Sequence, residues 1–239
     1  MKKILVLLVL LSSIVGVNAQ KKKDWSKVTL DAAGDHLMVQ ISKDGWTGAP
    51  DSISSHMKGF SRGLNIYLML NKPFKSDPRW SVAFGLGVSS SHIIFKKMDV
   101  DLKASGNVLP FVNLDSANHF KKYKLATSFL ELPVEIRYTF DPENTKKSWK
   151  IALGAKVGTM LNSHTKGKTL QNKNGTTINS YTEKETKKVF FNSTRIAATA
   201  RVGVGNFSLF GAYQVTALLK DGAGAEMRPY QIGICLSGL

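Results

Sequence analysis

The sequence predicts an all-β protein, an eight-stranded antiparallel up-and-down transmembrane β-barrel with short periplasmic turns and longer extracellular loops. Three observations carry this reading. Beyond an N-terminal leader, apolar side chains recur at every second position in stretches of about ten residues, the pattern of a strand with one lipid face and one inner face. The connectors between these stretches alternate strictly between short and long. No run of about eighteen apolar residues follows the leader; a helical span needs one, whereas a tilted strand crosses with only ~9–11 residues.

Residues 1–19 have the layout of a cleavable signal peptide, with Lys2 and Lys3, an apolar stretch over 4–15, and Val17-Asn18-Ala19 as a small-residue cleavage site. That stretch is short for a membrane anchor. Residues 20–35 are then expected to form a short periplasmic N-terminal segment and residues 36–239 the barrel. Cys235 is the only cysteine, which excludes an intramolecular disulfide and a cysteine-based zinc cluster. Apolar content of 43% and a mean hydropathy of −0.10 resemble a soluble protein, as expected when half of every strand faces inward.

The first strand sets Leu37, Val39 and Ile41 outward and His36, Met38 and Gln40 inward. In the next, Leu64, Ile66, Leu68 and Leu70 oppose Gly63, Asn65 and Tyr67. Trp80, Val82, Phe84, Leu86 and Val88 then oppose Ser81, Ala83, Gly85, Gly87 and Ser89. Leu130, Leu132, Val134, Ile136 and Tyr138 oppose Glu131, Glu135 and Arg137, which puts three charges on the inner face. Ile151, Leu153, Ala155, Val157 and Leu161 oppose Gly154, Lys156 and Gly158. Ile196, Ala198, Ala200, Val202 and Val204 alternate with Arg195, Ala197, Thr199 and Arg201. The seventh strand has Phe207, Leu209, Tyr213, Val215 and Leu219 outward, although Phe210 and Leu218 blur its second face. The last is the clearest, with Tyr230, Ile232, Ile234 and Leu236 opposite Gln231, Gly233, Cys235 and Ser237.

Residues 71–79, residues 141–148 and the Gly205-Asn206 turn are short and rich in Pro, Asp, Asn or Gly. Longer segments cover 43–58, 96–124, 164–188 and 220–227. Both termini would therefore be periplasmic. Trp80, Phe140 and Trp149 near the turns, and Trp46, Phe60, Phe95 and Phe190 near the loops, suit two interfacial girdles. A secreted sandwich or lipocalin-like barrel would also alternate, but with polar residues toward solvent. Here the less apolar face is rich in Gly, Ala and Ser, which fit the crowded interior of a narrow barrel.

Glu131, Glu135, Arg137, Lys156, Arg195 and Arg201 all point inward on three successive strands, forming a lumen charge cluster. Isolated charges in a poorly solvated interior would be costly, so they are expected to pair. A salt-bridged plug is the favoured reading over a gated pore or a carboxylate pair for acid–base work, because no histidine or serine is organised around the carboxylates. His56, His92, His119 and His164 lie in or beside the long loops at spacings that match no metal-ligand motif, so no metal and no cofactor are expected. Gly85-Leu86-Gly87 sits inside a strand and opens no helix, and no nucleophile elbow or phosphate loop occurs.

The formal net charge of +16 owes much to the long loops. Lys121, Lys122 and Lys124, and Lys184, Lys187 and Lys188, are candidate anion-binding positions. A basic chain invites a nucleic-acid reading. For an exported barrel the nearer anions are phosphates of outer-leaflet lipopolysaccharide, and nucleic acid is not an expected partner. A plain solvated loop surface is the alternative.

Residues 129–138, Phe-Leu-Glu-Leu-Pro-Val-Glu-Ile-Arg-Tyr, carry a proline inside an otherwise clear strand. This segment and the ending Pro-Tyr-Gln-Ile-Gly-Ile at 229–234 resemble the PorT-like outer membrane β-barrel family of Bacteroidetes-type bacteria. The resemblance implies an outer-membrane barrel without catalytic residues, and a founding member linked to protein secretion. The expected function is thus non-enzymatic: envelope stabilisation, or presentation of extracellular loops to a protein partner, in a setting of outer-membrane lipid. A small porin-like passive channel is the alternative, followed by a barrel enzyme acting on lipid or peptide.

Overall fold

The computed structural model describes residues 37–238; the leader, the 20–35 segment and His36 lie outside the described residues. In chain order the elements are β1 (Leu37–Thr47), a short helix α1 (Asp51–Ser54), β2 (Arg62–Pro73), β3 (Trp80–Phe95), β4 (Met98–Val100), β5 (Phe111–Asn113) and β6 (His119–Thr139). There follow β7 (Trp149–Gln171), β8 (Thr177–Thr186), β9 (Thr194–Val204), β10 (Phe207–Gln214) and β11 (Arg228–Ser237). Eight strands close into a barrel in the order β1-β2-β3-β6-β7-β9-β10-β11, with β11 returning to β1. Every barrel pairing is antiparallel and joins strands adjacent in the barrel order. Closure leaves the barrel wall without an edge.

The period-two pattern decides which face points where. Ile41, Leu68, Leu86, Leu132, Leu153, Val202, Leu209 and Ile232, one from each barrel strand, are all exposed, with Leu68 at 65% and Leu132 at 56%. A continuous apolar belt around the whole wall has no place in water, where exposed apolar patches stay small. It is the lipid-facing belt of a membrane barrel, so the soluble sandwich is excluded. At the turn end, Trp80, Phe140 and Trp149 are exposed, and Tyr138 packs 4.9 Å from Trp80 and 5.1 Å from Phe140 between ring centroids. That girdle stands where the sequence puts it.

Local chemistry shapes the details. The β3–β6 ladder lapses between the pairs Phe84–Val134 and Gly87–Glu131, opposite Pro133, which has no N–H to give. Gly205 turns the chain from β9 to β10 at a φ of 60°, where a Cβ would lie 2.3 Å from the Lys146 carbonyl oxygen. In the turn before β3, the Arg79 guanidinium grips the Asp77 carboxylate at 2.7 Å and holds that carboxyl below its ordinary value.

The loop end departs from expectation. The long connectors over 43–58, 96–124 and 164–188 are largely folded: β1 runs on to Thr47, β6 starts at His119, β7 continues to Gln171, and β8 adds a strand to it. β6 and β7 exceed the length needed to cross a bilayer by about ten residues, so the β6–β7–β8 sheet stands roughly 30 Å beyond the belt before tilt is allowed for. Trp46, Phe95 and Phe190 do not form a second girdle. They turn inward into an apolar core with Ile93, Leu125 and Phe191, and with residues of the 43–58, 96–124 and 220–227 connectors. Of the loop-side aromatics, Phe60 is the exposed one, at 73%. Leu219 is likewise buried in this core rather than facing outward, together with Leu218. The cause is common to all: above the bilayer no lipid rewards an outward apolar face, so these side chains bury against one another.

Candidate functional site

The lumen is built from small and large inward residues matched across the wall. Gly154 stands opposite Glu135 and Gly158 opposite Glu131 on the β6–β7 ladder, which leaves space for each glutamate to turn inward. A Cβ on Gly158 would lie 2.7 Å from Glu131 Cγ. Toward the turn end, Met38, Tyr67, Met69, Ala83, Phe210 and Cys235 make a small apolar cluster.

The six charged residues that alternation points inward are all buried, and they form two groups. In the first, Glu131 Oε2 lies 3.2 Å from Lys156 Nζ and accepts a 2.6 Å hydrogen bond from the Tyr67 hydroxyl. Its Oε1 lies 2.9 Å from Arg195 Nη1 without a hydrogen-bonding angle, so that contact is chiefly charge attraction. In the second, Glu135 Oε2 accepts from Arg137 Nε and Arg201 Nη2, each at 2.9 Å. Charges this deep are tolerable only when paired and hydrogen-bonded.

A polar network ties the first group to the upper lumen. Arg195 donates to Ser89 at 3.2 Å, Ser89 to Asn65 at 2.7 Å, and Asn65 to Gln40 and Gln231 at 3.0 and 3.2 Å. Gln231 in turn donates to Asp44 at 3.1 Å, which also accepts from Ser42 and Ser91. Asp44, 4% exposed, is the charged member that sequence reasoning missed, along with its partners Ser42 and Ser91. The signal was present: Met38, Gln40, Ser42 and Asp44 keep the inward parity past Ile41, where the first strand was expected to end.

Exposure decides what this interior can do. Glu131 is 1% exposed, Lys156 2%, Asn65 0% and Gln231 1%, whereas a water-filled channel would wet them. Between this network and the apolar cap lies a void of about 10 Å³, room for about one water. At the turn end a vestibule of about 230 Å³, with Arg137 and Arg201 among its lining residues, opens outward. Among the described residues no histidine joins either carboxylate, and Ser89 is engaged by Arg195 and Asn65 rather than by a base.

The described histidines stay apart from the Glu131 and Glu135 groups. His56 lies 3.3 Å from Asp115 Oδ2, and its ring holds that carboxyl below its ordinary value. His119 contacts the Ala117 carbonyl, and His164 contacts Asn162. Among the described residues no group of His, Cys, Asp or Glu is arranged for a metal. The six candidate lysines do not converge as one group. Lys122, Lys124 and Lys184 lie on the sheet formed by β6, β7 and β8. Lys121 is exposed beside them, Lys187 packs over the Phe190 ring, and Lys188 reaches the Leu161 carbonyl at 3.3 Å.

A family model described as outer membrane protein beta-barrel domain matches residues 13–214. None of the curated proteins matches the chain. Among solved structures, the chain is similar to Ail, the attachment invasion locus protein of Yersinia pestis, at 10% identity and a TM-score of 0.33, over 84% of this chain and 95% of that one. Neisserial surface protein A is similar at 11% identity and a TM-score of 0.36, over 84% of this chain and 94% of that one.

Proposed function

The chain belongs to the outer membrane protein beta-barrel domain family and resides in the bacterial outer membrane, and from that premise we propose that it is a sealed, non-enzymatic barrel whose work is done by its extracellular cap. The observation that carries the reading is the burial of Glu131 and Lys156 in mid-lumen, beneath an apolar core to which the 43–58, 96–124 and 220–227 connectors contribute. The six lumen charges act as a plug. A porin-like channel would need this level to be wet, and an enzyme on lipid or peptide would need a base beside the carboxylates. The chain beyond the bilayer forms an ordered β6–β7–β8 projection, the natural contact surface for a protein partner. The Pro133 strand supports a finer placement among PorT-like barrels, and with it a link to protein secretion. Residues 1–19 serve as the cleaved leader and residues 20–35 as a periplasmic segment.

Trimming the projection tests this. His164 pairs with Thr186, so replacing residues 165–185 with a two-residue turn re-closes the hairpin above the membrane. Cells carrying the trimmed chain should assemble a heat-modifiable barrel yet show the envelope or secretion defect of cells lacking the protein. Full complementation by the trimmed chain would move the function into the barrel wall.

A further inference from the structure

On the outward face of the wall, above the apolar belt, Lys124, Lys166 and Lys184 stand directly opposite one another on β6, β7 and β8. Lys122 and Lys168 repeat the arrangement one step higher. One step lower, Arg62 and His92 face each other on β2 and β3, and Lys124 Nζ rests 3.4 Å from the His92 ring. Like charges directly opposed on neighbouring strands destabilise a sheet. Among the described residues no carboxylate forms a salt bridge with Lys124, Lys166 or Lys184 to offset this.

The carboxylates of the same strand point the other way. Glu183 and Glu185 line a small pocket under the cap with Asp99, Tyr123 and Thr165, and Glu185 pairs with Lys103 at 3.1 Å. β8 thus separates its charges, acids toward the cap and Lys184 toward the side continuous with the lipid belt. Below the lysines that face changes in order: a row of Ser90, Ser128 and Asn162, then Ile66, Val88 and Leu130, which are exposed to the bilayer.

We propose that this lysine ladder seats the phosphate-bearing headgroup of a phosphorylated lipid of the outer leaflet, whose acyl chains lie on the belt beneath. Lys124 sits six residues above Leu130 along β6, a height of roughly 15 Å after strand tilt, and its flexible stem reaches down toward the headgroup layer. The apolar belt that begins below the Ser90, Ser128 and Asn162 row selects a lipid over a free anion. The proposal rests on the membrane reading of the fold and deepens the general expectation of basic loops: it names one face and excludes Lys121, Lys187 and Lys188.

The test is titration of diphosphoryl lipid A into phosphatidylcholine nanodiscs that carry the full protein. The Lys124→Gln/Lys166→Gln/Lys184→Gln variant should bind about a hundredfold more weakly, the loss expected for three cations at an anionic membrane surface. Lys121→Gln/Lys187→Gln/Lys188→Gln changes the net charge equally and should bind as the parent does. Equal weakening in both variants, no binding by the parent, or millimolar inorganic phosphate displacing the lipid would each overturn the seat. Heat-modifiability on gels reports the barrel separately, so a ladder variant that stays heat-modifiable and keeps its affinity sinks the seat while leaving the membrane reading intact.

Discussion

Gly158 faces Glu131 across the β6–β7 ladder, and the space where a side chain would begin is filled by the glutamate. A built Cβ falls 2.7 Å from Glu131 Cγ and 2.8 Å from the Leu130 carbonyl oxygen, so neither neighbour can yield without disturbing the wall or the ion pairs.

Gly158→Val should therefore destabilise the folded barrel by about 1–3 kcal/mol through overpacking, with the larger value if Glu131 loses Lys156. The measurement is the urea midpoint of the detergent-solubilised protein. Gly59→Ala, at a position with open space around it, should leave the midpoint unchanged.

Glu131→Ala should cost about 3–5 kcal/mol, because Lys156 and Arg195 would remain buried without a counter-charge. Replacing all three residues with methionine should recover most of that loss, since no charge is then stranded. If the triple variant is as unstable as the single one, packing rather than pairing holds this level of the lumen.

The wall was legible because its two surroundings differ so sharply. Leu132 meets lipid and Glu131 meets the lumen, so one residue's shift in register would exchange them, and period two follows from that penalty. Above the bilayer the contrast disappears. Nearly all of β8 is exposed on both faces, so its sequence carries no apolar alternation to read. Phe95 and Phe191 share the cap core although they lie far apart in the chain, and loop apolar residues look alike whether they face lipid or one another. Asp44 escaped notice because Lys43 interrupts the outward apolar pattern while the inward pattern continues. The charged lumen residues could be placed on one face by parity, but their division into a Glu131 group and a Glu135 group depends on side-chain geometry that parity does not encode.

Phe191, fully buried in the cap, gives a prediction about the extracellular part alone. Phe191→Ala should remove about 3–5 kcal/mol from the cap. Loops on intact cells should then be cut faster by added protease, while the barrel still resists SDS until heated. Loss of heat-modifiability in this variant would mean that cap and wall fold as one unit.

The most direct test of the central claim, that paired charges and an apolar cap seal the lumen, is single-channel recording of the pure protein in planar bilayers. The account predicts no steady conductance from the parent, because Glu131, Lys156 and Gln231 leave no wet path at mid-lumen. Large, steady openings from the unmodified protein would contradict it.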